Sequence, residues 1–317
     1  LSQTTAGTPG QPQKRAVPVP VRLGLLDHHG RTQTFVADAS DAAVNETVLV
    51  LSAEEQTFVL KSVQSAPVVS ALRGFSAPVD LNTDTPPSDR YILLGSDPDL
   101  FNRWEAGQGL AEDLIKARAK GQTDHDGEKR FAAALGQALG DQEADQAFKA
   151  LLLSLPSEQD LAMSMVPADP AAIHKAREDL RASLAKALGT TLCALHDQLS
   201  PQGPFAPDAV GAGRRALRNA SLDLLSAQPN GDLVRRAQDH YQSATNMTEA
   251  MGGLSALLSV GGPVLDAALS DFYNRWQNEP LVIDKWFALQ ARNPAPDALQ
   301  RIKALTAHPA FEPKNPN

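Results

Sequence analysis

Two periods run along this chain, and they change over near Pro86-Pro87. Before that point apolar residues recur at every second position over short stretches, the pattern of strands with one buried face. Residues 17–25 read as a strand, although Pro18 and Pro20 have no amide hydrogen to give to a ladder; that suits a sheet edge or the start of a strand. Asp27-His28-His29-Gly30 reads as a hairpin turn leading into a strand over residues 32–36. Residues 47–51, 57–63 and 68–72 supply further short strands. Short strands separated by frequent turn signals predict a β-sandwich over residues 1–85. The set is small for a complete sandwich, so a strand or two is expected to be missing before Leu1.

From residue 86 to 317 the period is 3.6, which predicts an all-α remainder. Leu100, Phe101, Trp104, Ala111, Leu114 and Ile115 fall on one stripe. Ser96 is placed as the N-cap of that helix, with Pro98 in its first turn and Asp97 and Asp99 at the positive end of its dipole. Asp169-Pro170 opens another helix, whose stripe is Ile173, Ala176, Leu180, Leu184, Leu188 and Leu195. Asn230-Gly231 and Gly261-Gly262-Pro263 punctuate later helices. Residues 271–290 read as two amphipathic helices broken at Glu279-Pro280. About ten helices with short links and no strict repeat predict an irregular, solenoid-like stack of helix pairs.

Composition narrows the function. Hydrophobic residues make up 42% and charged residues 21% of 317, a globular composition in which no apolar run approaches the ~20 residues of a membrane span. A formal net charge of −8 argues against nucleic acid as a partner. The single cysteine, Cys193, lies in a helical pattern, reads as a buried small apolar residue, and suits a reducing, cytoplasmic location. The opening LSQTTAGTPGQPQKR lacks the apolar core of a signal peptide. In such a compartment the Asn-x-Ser/Thr matches at Asn45, Asn219 and Asn246 are coincidental.

Candidate chemistry is sparse. A zinc peptidase needs two imidazoles on one helical face and a carboxylate base, as in His-Glu-x-x-His. None of the seven histidines is followed by glutamate, and His28-His29, the only adjacent pair, reads as solvated turn residues. Thr123-Asp-His-Asp-Gly-Glu128 superficially suggests a calcium loop, but Leu135 stands where the twelfth-position glutamate is needed, so it reads as a polar interhelical loop. Gly211-Ala-Gly-Arg-Arg-Ala-Leu-Arg-Asn219 is glycine-rich but has neither a strand before it nor a Walker lysine, and reads as a helix start with a basic face. No Gly-x-Ser-x-Gly marks a nucleophile. Trp104, Trp276, Trp286 and Phe287 read as core anchors, or else as walls of an internal cavity. No catalytic, cofactor-binding or metal-ligating residue is assigned.

Several segments, in order, resemble the aminopeptidase N family of proteobacteria: Ala53-Glu-Glu-Gln-Thr-Phe-Val59, Arg73-Gly-Phe-Ser-Ala-Pro-Val79, Phe101-Asn-Arg-Trp-Glu-Ala106, Gly213-Arg-Arg-Ala-Leu-Arg-Asn219, Ala244-Thr-Asn-Met-Thr-Glu249, Leu281-Val-Ile-Asp-Lys-Trp-Phe-Ala-Leu-Gln290 and His308-Pro-Ala-Phe311 with Asn315-Pro-Asn317. Each is weak alone, but together they are collinear over almost the whole chain. The resemblance implies an immunoglobulin-like sandwich followed by a C-terminal helical domain, with zinc and the catalytic domain elsewhere in the same polypeptide. It implies a parent that removes N-terminal amino acids from peptides, and a helical region that closes over the active site and controls peptide access. It also implies further helices beyond Asn317, so that the helices over residues 280–291 and 296–308 should expose Leu281, Ile283, Trp286, Phe287, Leu299, Ile302 and Leu305. A second class, a free-standing helical-repeat binding scaffold with an immunoglobulin-like module, stays open. The upstream reading frame discriminates between them.

Overall fold

The strand that organises the first part of the chain is β1 (Val19–Leu26), where Val21, Leu23 and Leu25 alternate inward and are buried. The computed structural model describes residues 1–37, 42–201, 203–293 and 296–314. Following β1 are β2 (Thr32–Gln33), β3 (Phe35–Ala37), β4 (Ala43–Val44), β5 (Glu46–Leu51), β6 (Leu60–Lys61) and β7 (Val68–Ala71). Leu23 and Gly24 pair with both β5 and β7, and Leu25 and Leu26 with both β2 and β7. Strand β7 therefore takes one edge of β1, while β5 and β2 share the other. A second sheet has the order β4-β3-β6. Leu23 and Leu25 of the first sheet and Phe35 of the second share one buried cluster with half-buried Val44, Leu49, Leu60 and Val63, the core of a β-sandwich.

Pro20 lies inside β1, a central strand, but β7 begins to pair only at Leu23, so the prolines sit at the strand's start. The hairpin turn is present: Gly30 donates its amide to the Asp27 carbonyl at 2.9 Å with φ 78°, and His28 and His29 are exposed. The strand expected over residues 57–63 shrinks to Leu60–Lys61, because Ser62 turns into the left-handed region at φ 60° and breaks the ladder.

Twelve α-helices follow among the described residues. They are α1 (Pro87–Ser96), α2 (Leu100–Ala119), α3 (His125–Gly140), α4 (Gln146–Leu152), α5 (Glu158–Met163), α6 (Pro170–Gln198), α7 (Ala209–Leu225), α8 (Gly231–Gln242), α9 (Met247–Val260), α10 (Gly262–Trp276), α11 (Pro280–Ala291) and α12 (Ala298–Thr306). Short polar side chains start most of them, each worth about 1 kcal/mol. Asp124, Asp145, Asp208, Asn230 and Asn246 each accept an amide three residues on. Ser96 is not the cap of α2; it ends α1, and Asp99 caps α2 by accepting the Asn102 amide at 2.9 Å. Asp97, expected at the dipole, is instead fully buried. The α6 stripe holds from Ile173 to Leu188, then continues at buried Leu192 rather than half-buried Leu195.

Contacts divide the chain into two compact units, and the division does not fall at the change of period. The first comprises Leu1–Ala144 and Leu155–Arg177, the second Asp145–Ser154 and Glu178–Asn317. Within the first, α1 packs on α2 and α3 and touches β7. Within the second, α8 packs on α9, α9 on α10, α10 on α11 and α11 on α12, a one-dimensional succession in which each helix meets its neighbour. Leu281 and Leu299 are 72% and 67% exposed, as expected, but Ile283 is 2% exposed. Trp286 donates its indole N–H to the Leu269 carbonyl of α10 at 3.0 Å, and Ile283, three residues earlier, shares that covered face. The tryptophans are not deep core anchors: Trp276 is 37% exposed, and Trp104 and Trp286 are half-buried. Tyr273, Trp286, Phe287 and His308 make a ring cluster with centroids 5.1–5.6 Å apart.

Candidate functional site

Three arrangements carry more chemistry than packing requires. The first is a buried polar knot around Arg73 in the first unit. Gly24 on β1 allows it, since a Cβ there would meet the Arg73 guanidinium at 2.1 Å. The guanidinium donates to Asp97 Oδ1 at 3.2 Å, to Glu46 at 3.4 Å and, through Nε, to Ser70 Oγ at 2.8 Å. Asn102 donates to Ser70 Oγ and to the Ala71 carbonyl, both at 2.8 Å. Burial pushes the Asp97 carboxyl above its usual range, against hydrogen bonds from Ser70 and the Asp99 amide and the charge of Arg73. Asp99 serves both sides of the knot: Oδ1 caps α2 and Oδ2 accepts the Gly74 amide at 2.8 Å. This network fixes the 3-10 turn Arg73–Phe75, in which Phe75 is held at φ 52° and the preceding Leu72 at φ 56°.

Beside that turn lies the second arrangement, an open groove of about 920 Å³ whose floor includes Val69, Phe75, Val79 and Phe101. The Phe75 and Phe101 rings stand 5.2 Å apart.

The third is a histidine pair in the second unit. His196 at the end of α6 and His240 at the end of α8 are 4% and 1% exposed, and His196 Nε2 lies 2.9 Å from His240 Nδ1. Arg236 Nη1 points at His196 Nδ1 at 2.9 Å and also pairs with Asp197. A guanidinium can only donate, so His196 Nδ1 accepts and its Nε2 carries the proton given to His240 Nδ1. That leaves the proton of His240 on Nε2, a buried atom with no hydrogen-bond partner among the described residues. Burial first, then the charge of Arg218, holds His196 down at about 4 and His240 at about 3. Arg218 in turn donates to buried Glu249 at 3.0 Å, and Asn246 holds the other oxygen of Glu249 at 2.7 Å.

These contacts revise several motif readings. The 211–219 segment does lie in the early part of α7, but two of the arginines of its basic face are buried: Arg215 and Arg218 are 6% and 5% exposed. Nothing in the local sequence marks Glu249, thirty-one residues from Arg218, as the partner. The 123–128 segment is not wholly loop; Asp124 caps α3 and buried Glu128 pairs with Arg118 at 2.6 Å. Cys193 is half-buried. Asn315–Asn317 lies outside the described residues.

The histidine pair does not fit zinc. Two Zn–N bonds of about 2.0–2.1 Å at a tetrahedral angle hold their nitrogens roughly 3.4 Å apart. Here the facing nitrogens are 2.9 Å apart and joined by a proton. The charges around them, Arg214, Arg218 and Arg236, are of the wrong sign for a cation. Among the described residues no group of three or more His, Cys, Asp or Glu is placed to hold a metal ion.

Comparison with known proteins places the chain. Residues 87–317 match a family model described as a domain of unknown function, DUF3458_C, ARM repeats, and residues 1–84 match DUF3458, with an Ig-like fold. An aminopeptidase N of Caulobacter vibrioides is 52% identical over 296 residues, 93% of this chain and 33% of the relative. The aminopeptidase N of Escherichia coli K12 is 33% identical over 100% of this chain and 36% of the relative. A crystal structure of Legionella pneumophila aminopeptidase A in complex with aspartic acid superposes with a TM-score of 0.76 at 27% identity, over 93% of this chain and 34% of that one. The chain thus spans about a third of the length of the curated relatives it matches. It belongs to the DUF3458_C ARM-repeat family, with the DUF3458 Ig-like fold ahead of the repeats, and is homologous to the C-terminal region of proteins named aminopeptidase N.

Proposed function

We propose that this chain is the non-catalytic C-terminal portion of a cytoplasmic, zinc-dependent aminopeptidase that removes N-terminal amino acids from peptides. The observation that carries the reading is the combination of coverage and composition. The aminopeptidase relatives match 93–100% of the chain, which is only a third of their length. No histidine in the sequence is followed by glutamate, so the His-Glu-x-x-His chemistry that such an enzyme needs must come from elsewhere in the polypeptide. In this reading residues 1–85 form one domain and 86–317 another, and the partner of both is the catalytic domain on the same chain. The helical domain closes over the active site and admits peptides by size. What supports a helical domain of this kind is the matched ARM-repeat model and, within the second unit, helices α8 to α12 that each pack on the next.

The test compares the parental polypeptide with and without residues 86–317 on an amino-acid anilide and on peptides of increasing length, with zinc content as the control for an intact catalytic domain. Gating predicts that removal lifts the penalty on long peptides more than it changes the anilide. An unchanged length profile with full zinc content overturns it.

A further inference from the structure

We propose that the groove beside the 3-10 turn of the first unit binds an extended peptide that combines apolar side chains with lysine or arginine. Three independent features define the occupant. The groove's volume of about 920 Å³ matches a several-residue ligand, and its floor is apolar and open: Phe75 is 54%, Val69 45% and Val79 40% exposed. Its rim is acidic. Asp80, Asp84, Asp89 and Glu105 line it, and against these four carboxyl groups stands the guanidinium of Arg90, whose Nη2 holds Asp113 at 2.6 Å and whose buried Nε has no partner among the described residues. Burial lifts the Glu105 carboxyl above its usual range, with Glu112 adding repulsion, so an arriving cation gains a carboxylate that no cation among the described residues satisfies.

The third feature selects an extended polypeptide over a compact ligand. Residues 80–85 form one wall without helix or strand, and none of their backbone amides or carbonyls takes part in a backbone–backbone hydrogen bond among the described residues. Such a segment offers the alternating donors and acceptors that an extended peptide can pair with.

The experiment is fluorescence anisotropy on the full 317-residue chain with a labelled hexapeptide alternating Leu/Phe with Lys/Arg. One control peptide has Glu in place of the basic residues, the other Ser in place of the apolar ones. Expected are saturable binding of the first peptide, at least tenfold weaker binding of both controls, and weakening as salt is raised. The combined substitution Asp84→Asn, Asp89→Asn, Glu105→Gln should weaken binding at least tenfold, and Phe75→Ser, at an exposed position, should do so without changing the thermal melt. Equal binding of the acidic control, or unaltered binding by the triple variant, overturns the proposal. So does a sedimentation result in which Phe75→Ser abolishes a dimer, because the groove would then hold a second copy.

Discussion

Acidification should loosen the second unit through its histidine pair. An unfolded histidine takes a proton near pH 6.5, whereas folded His196 and His240 resist until about 4 and about 3. Below 6.5 the unfolded state therefore binds more protons, and stability falls with pH until the folded groups titrate in turn. Each group contributes about 1.4 kcal/mol per pH unit inside that window, so moving from pH 7 to 5 removes about 2 kcal/mol per histidine. Both together approach about 4 kcal/mol, an upper figure because the two rings share a hydrogen bond, and a large part of the 5–15 kcal/mol typical of a domain. One carboxylate compensates in part: Asp197, 3.6 Å from His196 Nδ1, favours its protonated form but is itself paired to Arg236 of α8, while the other groups facing the pair are Arg218 and Arg214 of α7, with Glu249 paired to both. The assay is urea unfolding at pH 7, 6 and 5 in a Trp104→Phe background, so that Trp276 and Trp286 report the second unit. The double substitution His196→Gln, His240→Gln should flatten the pH dependence by several tenths of the wild-type loss, with carboxylate effects cancelling in the comparison. Identical pH slopes for wild type and double variant would refute the reasoning.

Replacing Arg73 with Ala should destabilise the first unit by about 3–5 kcal/mol in denaturant titration, because Asp97 is left buried without its cation. Gly253→Ala should cost about 1–3 kcal/mol, since its Cβ would stand 2.8 Å from the Tyr241 backbone and force α9 off α8. Gly189→Ala, within α6 and facing open space, should instead stabilise by up to about 1 kcal/mol, seen as a raised melting temperature.

Much of the fold was legible because it rests on local chemistry. The change of period at Pro86-Pro87 coincides with the start of α1 at Pro87, and the breaks at Asp169-Pro170, Asn230-Gly231 and Glu279-Pro280 each sit at a helix boundary. Caps and prolines act within three or four residues, which a single sequence displays. What sequence reading missed was set by distant partners. Asp97 looked like a dipole residue because Arg73, twenty-four residues away, is not a neighbour in sequence. The 57–63 alternation satisfied a strand pattern, but alternation does not show where a chain will turn at Ser62. The arginines of α7 read only as a basic face because their partner Glu249 comes from α9, and His196 and His240 stand forty-four residues apart. The contact units likewise ignore the boundary in period, since α1 touches β7, α2 touches the 3-10 turn after it, and α1–α3 form one unit with the strands.

The most direct test of the central claim, that this chain carries no catalytic centre of its own, is metal analysis together with hydrolysis of an alanine anilide by the highly purified chain. The account predicts far less than one zinc per chain after gel filtration and no chelator-sensitive turnover, because a catalytic zinc needs three protein ligands in fixed geometry. One tightly bound zinc per chain, with hydrolysis abolished by a chelator and restored by zinc, would contradict it.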